Sequence, residues 1–154
     1  MTASRAFTIT ELSREAGLRL LAEHNIGRIA FTFRDRVDIE PISYVYADGW
    51  IYARTSPGTK LTMVQHHPYV AFEVDDIRSA TDWRSVVVHG TIYFIDPDRG
   101  ENELRLHGEA LAHLRSIDAN VLTAEDATPH RQSFFRVFVD EVIARSGRVV
   151  GVAR

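Results

Sequence analysis

The chain alternates apolar and polar residues in short runs that turn signals break at close intervals. Residues 28–33 set Ile29, Phe31 and Phe33 against Arg28, Ala30 and Thr32, the two-residue period of a strand. A polar turn at Arg34-Asp35-Arg36 leads into a longer strand over 37–46. Its Pro41 cannot donate to a ladder, so it marks an edge, a bulge or an irregularity. Asp48-Gly49 is a hairpin signal into Trp50, Tyr52 and Arg54 on one face and Ile51, Ala53 and Thr55 on the other. Residues 69–74 alternate again, 75–82 read as a polar loop, and 83–95 form the longest strand candidate. Gly90 inside that strand predicts a bulge or a bend. The last strand covers 133–142, and Ser146-Gly147 reads as a turn into a short edge strand over 148–152.

Helical periods are fewer. Residues 10–25 place Leu12, Ala16, Leu20 and Leu21 on one side, with Thr8 and Glu11 at capping-box spacing. A second helix is expected from Asp96-Pro97 to about Arg115, with Pro97 in the first position. About two helical turns follow Thr59 over 60–65, ended by His66-His67-Pro68, and 116–132 is expected to be largely loop. Six or seven short strands joined mostly by tight turns argue for a mainly β, α+β fold: a six-stranded antiparallel split β-barrel with flanking helices. A doubly wound parallel sheet fits poorly, and no strand is followed by GxGxxG.

Composition narrows this further. The 154 residues are 45% hydrophobic and 25% charged, which suits one domain over 1–154. The net charge of -3 gives no field that attracts nucleic acid or an anionic membrane, so neither is an expected partner. The absence of cysteine excludes disulfides, thiolate metal sites and thiol nucleophiles. With no apolar run of signal or membrane-spanning length, a cytoplasmic protein is expected. Among the seven histidines, His107 and His113 lie six apart on a helix, whereas metal-binding pairs are three or four apart, so no metal site is expected. No GxSxG marks a nucleophile, and no side chain stands out as a catalytic acid or base.

One stretch carries chemistry. WIYARTSPGTKL, residues 50–61, runs from a strand through Ser56-Pro57-Gly58 into a helix start. Arg54, Thr55, Ser56, Thr59 and Lys60 bring two cations, three hydroxyls and unpaired backbone N–H groups to one turn, which is what a phosphate needs. Lys60 in the first helical turn opposes the helix dipole, and a bound anion would compensate it. The same residues also make an ordinary strand–turn–helix, and the pattern alone leaves both readings open. The aromatic residues of the strands would suit a flat cofactor with a phosphate tail.

The segments IGRIAFTF, EPISYVYADGWIYARTSPGTKL, HPYVAFEVD and WRSVVVHGTI, with the late FFRVFVDEVIARSGR, resemble in order and spacing the flavin-binding split-barrel family typified by pyridoxamine phosphate oxidase. The short, nitroimidazole-resistance-like bacterial branch is the nearest in character. The resemblance implies a homodimeric oxidoreductase with flavin mononucleotide at the subunit interface and a small-molecule substrate. It implies that Arg54, Thr55, Ser56, Thr59 and Lys60, with Leu61 completing the set, hold the phosphate and ribityl chain. Ile42 and Ser43 would edge the isoalloxazine through backbone groups. Trp83, Arg84 and Ser85 would approach the ring, from the partner subunit in one arrangement. The chain ends in GRVVGVAR, without the Arg/His substrate grip of the longer oxidases. The family also implies two alternatives, a deazaflavin-dependent reductase and a non-catalytic module that binds haem or flavin.

Overall fold

The computed structural model describes residues 4–151, the side chains of Gln65 and His66 excepted, so the expectations for Val152 and for the His66 side chain lie outside the described residues. Seven antiparallel strands make the sheet: β1 (Arg5–Leu12), β2 (Ile26–Phe33), β3 (Arg36–Ala47), β4 (Trp50–Thr55), β5 (Tyr69–Ser79), β6 (Asp82–Ile95) and β7 (Ser133–Gly151). Their order is β1-β7-β4-β3-β2-β5-β6, and β6 pairs back onto β7. That last ladder closes β2 to β7 into the expected six-stranded barrel, with β1 added outside on the far half of β7.

The turns follow from local chemistry. Arg34 and Asp35 both have positive φ between Phe33 and its partner Arg36, and Asp48 and Gly49 do the same between Ala47 and Trp50. Such turns match the right-handed twist of paired strands. β3 pairs with β4 only from Tyr44 to Ala47, so Pro41 lies where β3 has a neighbour on one side alone. This unpaired half of β3 is the split in the barrel. At Gly90 the β6–β7 register shifts by one, and a Cβ there would lie 2.1 Å from the Phe138 carbonyl oxygen. The bulge therefore requires glycine.

Two elements plug the barrel. Helix α1 (Arg14–Glu23) buries Leu20 and Leu21 at one end, against β7, β6, β3 and β5. The Tyr44 hydroxyl donates to the Leu21 carbonyl there, and burial pushes its phenol well above the ordinary range. At the other end a 3₁₀ segment (Lys60–His66) buries Leu61 and Val64. Helix α2 (Glu101–Arg115) lies on the outside, where Ala110 and Leu114 join Tyr52, Ile95, Val121 and Phe134 in a second apolar cluster. Tyr52 and Ala53 are thus both buried, and β4 is covered on both faces.

Several expected boundaries are corrected. The first helix begins at Arg14, with Ser13 as the cap that accepts from the Ala16 N–H, and residues 5–12 are a strand. The Thr8/Glu11 capping box does not form, because that stretch pairs with the end of β7. Residues 75–79 continue β5 as a ribbon with β6, where a loop was expected. Asp96 caps only a short 3₁₀ turn (Pro97–Arg99), and Gly100, at φ 139°, separates it from α2. Ser146-Gly147 is no turn. It sits inside β7, the longest strand at 19 residues, and Gly147 leaves room for Trp83 and Phe7, both less than 3 Å from where a Cβ would stand.

Candidate functional site

The turn after β4 sits at the split. Thr55 is buried at the end of β4, and its hydroxyl lies 3.4 Å from that of Thr59. Ser56 and Thr59 are half-buried, and Gly58 takes a positive φ. Thr59 stands at the N-cap position, but its side chain makes no capping bond. The first N–H groups of the following 3₁₀ turn have no intrahelical acceptor. Leu61 points the opposite way, into the barrel core with no exposed surface. Lys60 extends across the split, its Nζ 3.5 Å from Asp38 Oδ2, with 58% of the side chain exposed. The local rule that Lys60 breaks is therefore partly compensated by a carboxylate on β3, a contact that sequence spacing did not reveal.

Arg54 is differently engaged. Its guanidinium donates to both Asp126 oxygens at 2.7 and 3.0 Å, to the Thr128 hydroxyl at 3.1 Å and to the Arg131 carbonyl at 3.3 Å. Only 10% of the Arg54 side chain and 1% of that of Asp126 are exposed. Asp126 also accepts from the Leu122 and Thr128 N–H groups. The Arg54 bond above all, with those backbone donors, holds its carboxyl well below the usual carboxylate range. Arg54 thus clamps the 116–132 loop over β3 and β4. Sequence reasoning missed Asp126 because it lies 72 positions away.

Ser43 is exposed on the outer surface of β3, and shares a cavity of about 410 Å3 with Arg54, Asn25, Thr128 and Arg131. Ile42 points inward and is buried. Trp83, Arg84 and Ser85 stand elsewhere. They pair with Gly147, Ser146 and Arg145 of β7, whereas Thr55 pairs with Ser133. Arg145 lies twelve positions beyond Ser133 along β7, roughly 40 Å at ~3.3 Å per residue in an uncoiled strand. Trp83 packs against Phe7 with ring centroids 6.5 Å apart, and Arg84 pairs with Asp76 at 2.9 Å. One chain therefore brings together Thr55, Ser56, Thr59 and Lys60 in one turn, sets Ser43 beside Arg54 on the outer surface, and leaves Trp83, Arg84 and Ser85 toward the other end of β7.

Two histidines of α2 stack on aromatic rings: His107 lies on Phe134 at 4.6 Å, and His113 on Tyr52 at 4.5 Å. On the outer face of β2 and β5, Arg28 reaches Glu73 and Asp75 at 3.3 and 3.4 Å. Burial lifts the Glu73 carboxyl to about 7, with Asp75 adding to the rise and Arg28 opposing it.

The sequence and the split six-stranded barrel are matched by known proteins. A family model described as pyridoxamine 5′-phosphate oxidase covers residues 13–146. The chain belongs to this family. Among solved structures, an FAD-binding protein from Mesorhizobium loti shares 25% identity and a TM-score of 0.71, covering 92% of this chain and 98% of that one. The FAD-binding protein from Mycobacterium smegmatis shares 27% identity and a TM-score of 0.65, covering 90% and 100%. An uncharacterized protein of Rhizobium meliloti is 28% identical over 100 residues, 65% of this chain and 66% of the relative, just under two thirds of its length. Pyridoxamine phosphate oxidase-like family members thus include flavin binders with this fold. Among the described residues, no helix is long and apolar enough to cross a membrane.

Proposed function

We propose that the protein is a homodimeric oxidoreductase that binds flavin mononucleotide and acts on a small-molecule substrate. The observation that carries this reading is the turn at Thr55 to Lys60. Its hydroxyls and N–H groups converge beside a largely exposed ammonium, a donor set that suits a phosphate monoester. Lys60 supplies the charge, while Thr55, Ser56 and Thr59 supply neutral donors. Ser43 and the backbone of Ile42 border the ring along the unpaired half of β3. Arg54 acts as a positioning residue through its hold on the 116–132 loop, and Leu61 anchors the turn in the core. Bound flavin would supply redox chemistry at its ring, and the chain supplies position and electrostatics.

The dimer follows from incompleteness. Trp83, Arg84 and Ser85 complete the site only if a second copy brings them. The outer face of β2, β3 and β5 offers the docking surface, with Val37 78%, Ile39 63% and Tyr69 77% exposed. Apolar exposure on this scale marks an association surface. A second reading, FAD in place of the mononucleotide, is favoured by the two solved relatives, each described as FAD-binding.

Purified protein is expected to carry flavin absorbance and to sediment as a dimer, and mass analysis of the released cofactor separates the two flavins. Lys60→Ala is expected to weaken flavin binding by about tenfold, the scale of one charge-assisted hydrogen bond. A colourless protein that takes up neither flavin would overturn the proposal.

A further inference from the structure

A cavity of about 850 Å3 is bordered at one end by Gly58 and runs past β6 and β7 to α2. Nothing in the flavin reading uses its far wall. That wall is the outer face of three paired strands: Trp50 of β4 lies opposite Phe138 of β7, and Arg136 of β7 lies opposite Tyr93 of β6. Trp50 meets Tyr93 and Phe138 edge-on, with ring centroids at 5.9 and 5.3 Å. The Arg136 guanidinium carbon lies over the Trp50 ring, 3.6 Å from its centroid, and both residues line the cavity. Among the described residues, it is half-buried and makes no hydrogen bond or ion pair.

A guanidinium this close to an indole is held by the ring on one side, and its planar fork keeps N–H donors at its edges for an anion in the cavity that Arg136 lines. The cation position on Trp50 is filled, so the wall selects against a second cation. On the α2 side Glu103 accepts from the Asp96 N–H, and Asp96 accepts from the Asp98 N–H and pairs with Arg99 at 3.8 Å. Among the described residues, the charge that the aromatic wall itself carries is the positive one of Arg136. We propose that this cavity binds a planar aromatic ring carrying a single anionic group, the ring stacking on the free face of Arg136 and the anion taking its N–H donors. Tyr93, 51% exposed, borders the ring position.

The shared chemistry fits an aromatic carboxylate or a mononucleotide, and two probes separate them: nicotinate and adenosine 5′-monophosphate. Each is titrated into the full-length protein by calorimetry and by the indole N–H signals of its two tryptophans, with Trp83→Phe assigning them. At least one probe is expected to bind saturably and to move the Trp50 signal while Trp83 stays in place. Binding of the nucleotide alone would make this a nucleotide site, and binding of nicotinate alone an aromatic-acid site. Arg136→Gln is expected to weaken binding about tenfold, and Arg136→Lys, which keeps the charge and loses the plane, by an intermediate factor. Tyr93→Leu, at a half-exposed position, is expected to weaken binding too and stands in if Arg136→Gln does not fold. The measurement needs no flavin, so it stands or falls apart from the cofactor reading. No saturable binding of either probe up to about 10 mM, a response at Trp83 alone, or undiminished binding by the folded variants would overturn it.

Discussion

The two ends of β7 are built on opposite terms. At the Ser133 end the strand is flanked by β4 and β6, the 3₁₀ segment seals the barrel, and Arg54 locks the 116–132 loop to Asp126. At the Gly147 end the same strand runs out between β1 and β6 as a ribbon, with Phe7 44%, Ile9 56% and Ile77 65% exposed. The core of the first end is closed within one chain. The second carries exposed apolar surface and a partly exposed aromatic pair, the surface that the proposed dimer would cover. The lesson is that a single strand can belong to a core at one end and to an exposed ribbon at the other.

Substitutions can separate the two ends, and the largest effect is expected at the sealed one. Leu61→Ala removes a fully buried side chain from the plug and should cost about 2–5 kcal/mol in urea unfolding. An effect under 1 kcal/mol, about the scale of a surface change, would mean that the plug is not part of the core. Gly147→Ala places a methyl group 2.6 Å from Trp83, which overpacks the ribbon at a cost of about 1–3 kcal/mol. Its signature should be a changed Trp83 environment with Trp50 unaffected, and loss of the dimer before loss of the barrel.

Arg54→Ala should free the 116–132 loop, read as faster amide exchange confined to that segment. Asp126 has a lowered carboxyl pKa, so its contribution is present above the ordinary carboxylate value and is lost only as the pH falls through the depressed one. Loop protection should therefore survive mild acid. Glu73 behaves in the opposite sense. Its folded value of about 7 exceeds the unfolded 4.5, so the folded state holds more protons between those values and stability falls as the pH rises across that window. The group is partly solvated, which limits the effect to about 1 kcal/mol, and Glu73→Gln should flatten the profile. The smallest stability effect belongs to Lys60→Ala, whose exposed pair with Asp38 contributes at most about 1 kcal/mol. Its consequence should fall on flavin binding, so a large stability loss would recast Lys60 as structural.

Much of the barrel was legible because alternation and turn chemistry are local. Ile29 and Phe31 point inward as their period requires, Asp48-Gly49 forms the hairpin, and Gly90 marks the bulge. The errors lie in the ribbon. β1 and the end of β5 are exposed on both faces, so their polar residues carry no strand signal, and Thr8 with Glu11 imitates a helix start. Gly147 looked like a turn because glycine has the same letter whether it bends a chain or makes room for Trp83. At the candidate site the hydroxyls were readable from their spacing. The commitments of Arg54 to Asp126 and of Lys60 to Asp38 were not, since each joins residues that only the fold brings together.

The continuity of β7 also limits how this protein can vary in length. The strand works as a ruler, with Ser133 and Arg145 set at a fixed count apart. One residue inserted between Val139 and Ala144 would turn Gly147 away from Trp83 and exchange inside for outside along the whole ribbon, while leaving the turn at Thr55 untouched. The 116–132 loop has to keep only the anchors at Val121, Asp126 and Thr128, with exposed residues between them. Natural variants of this chain should accept insertions there and refuse them in β7.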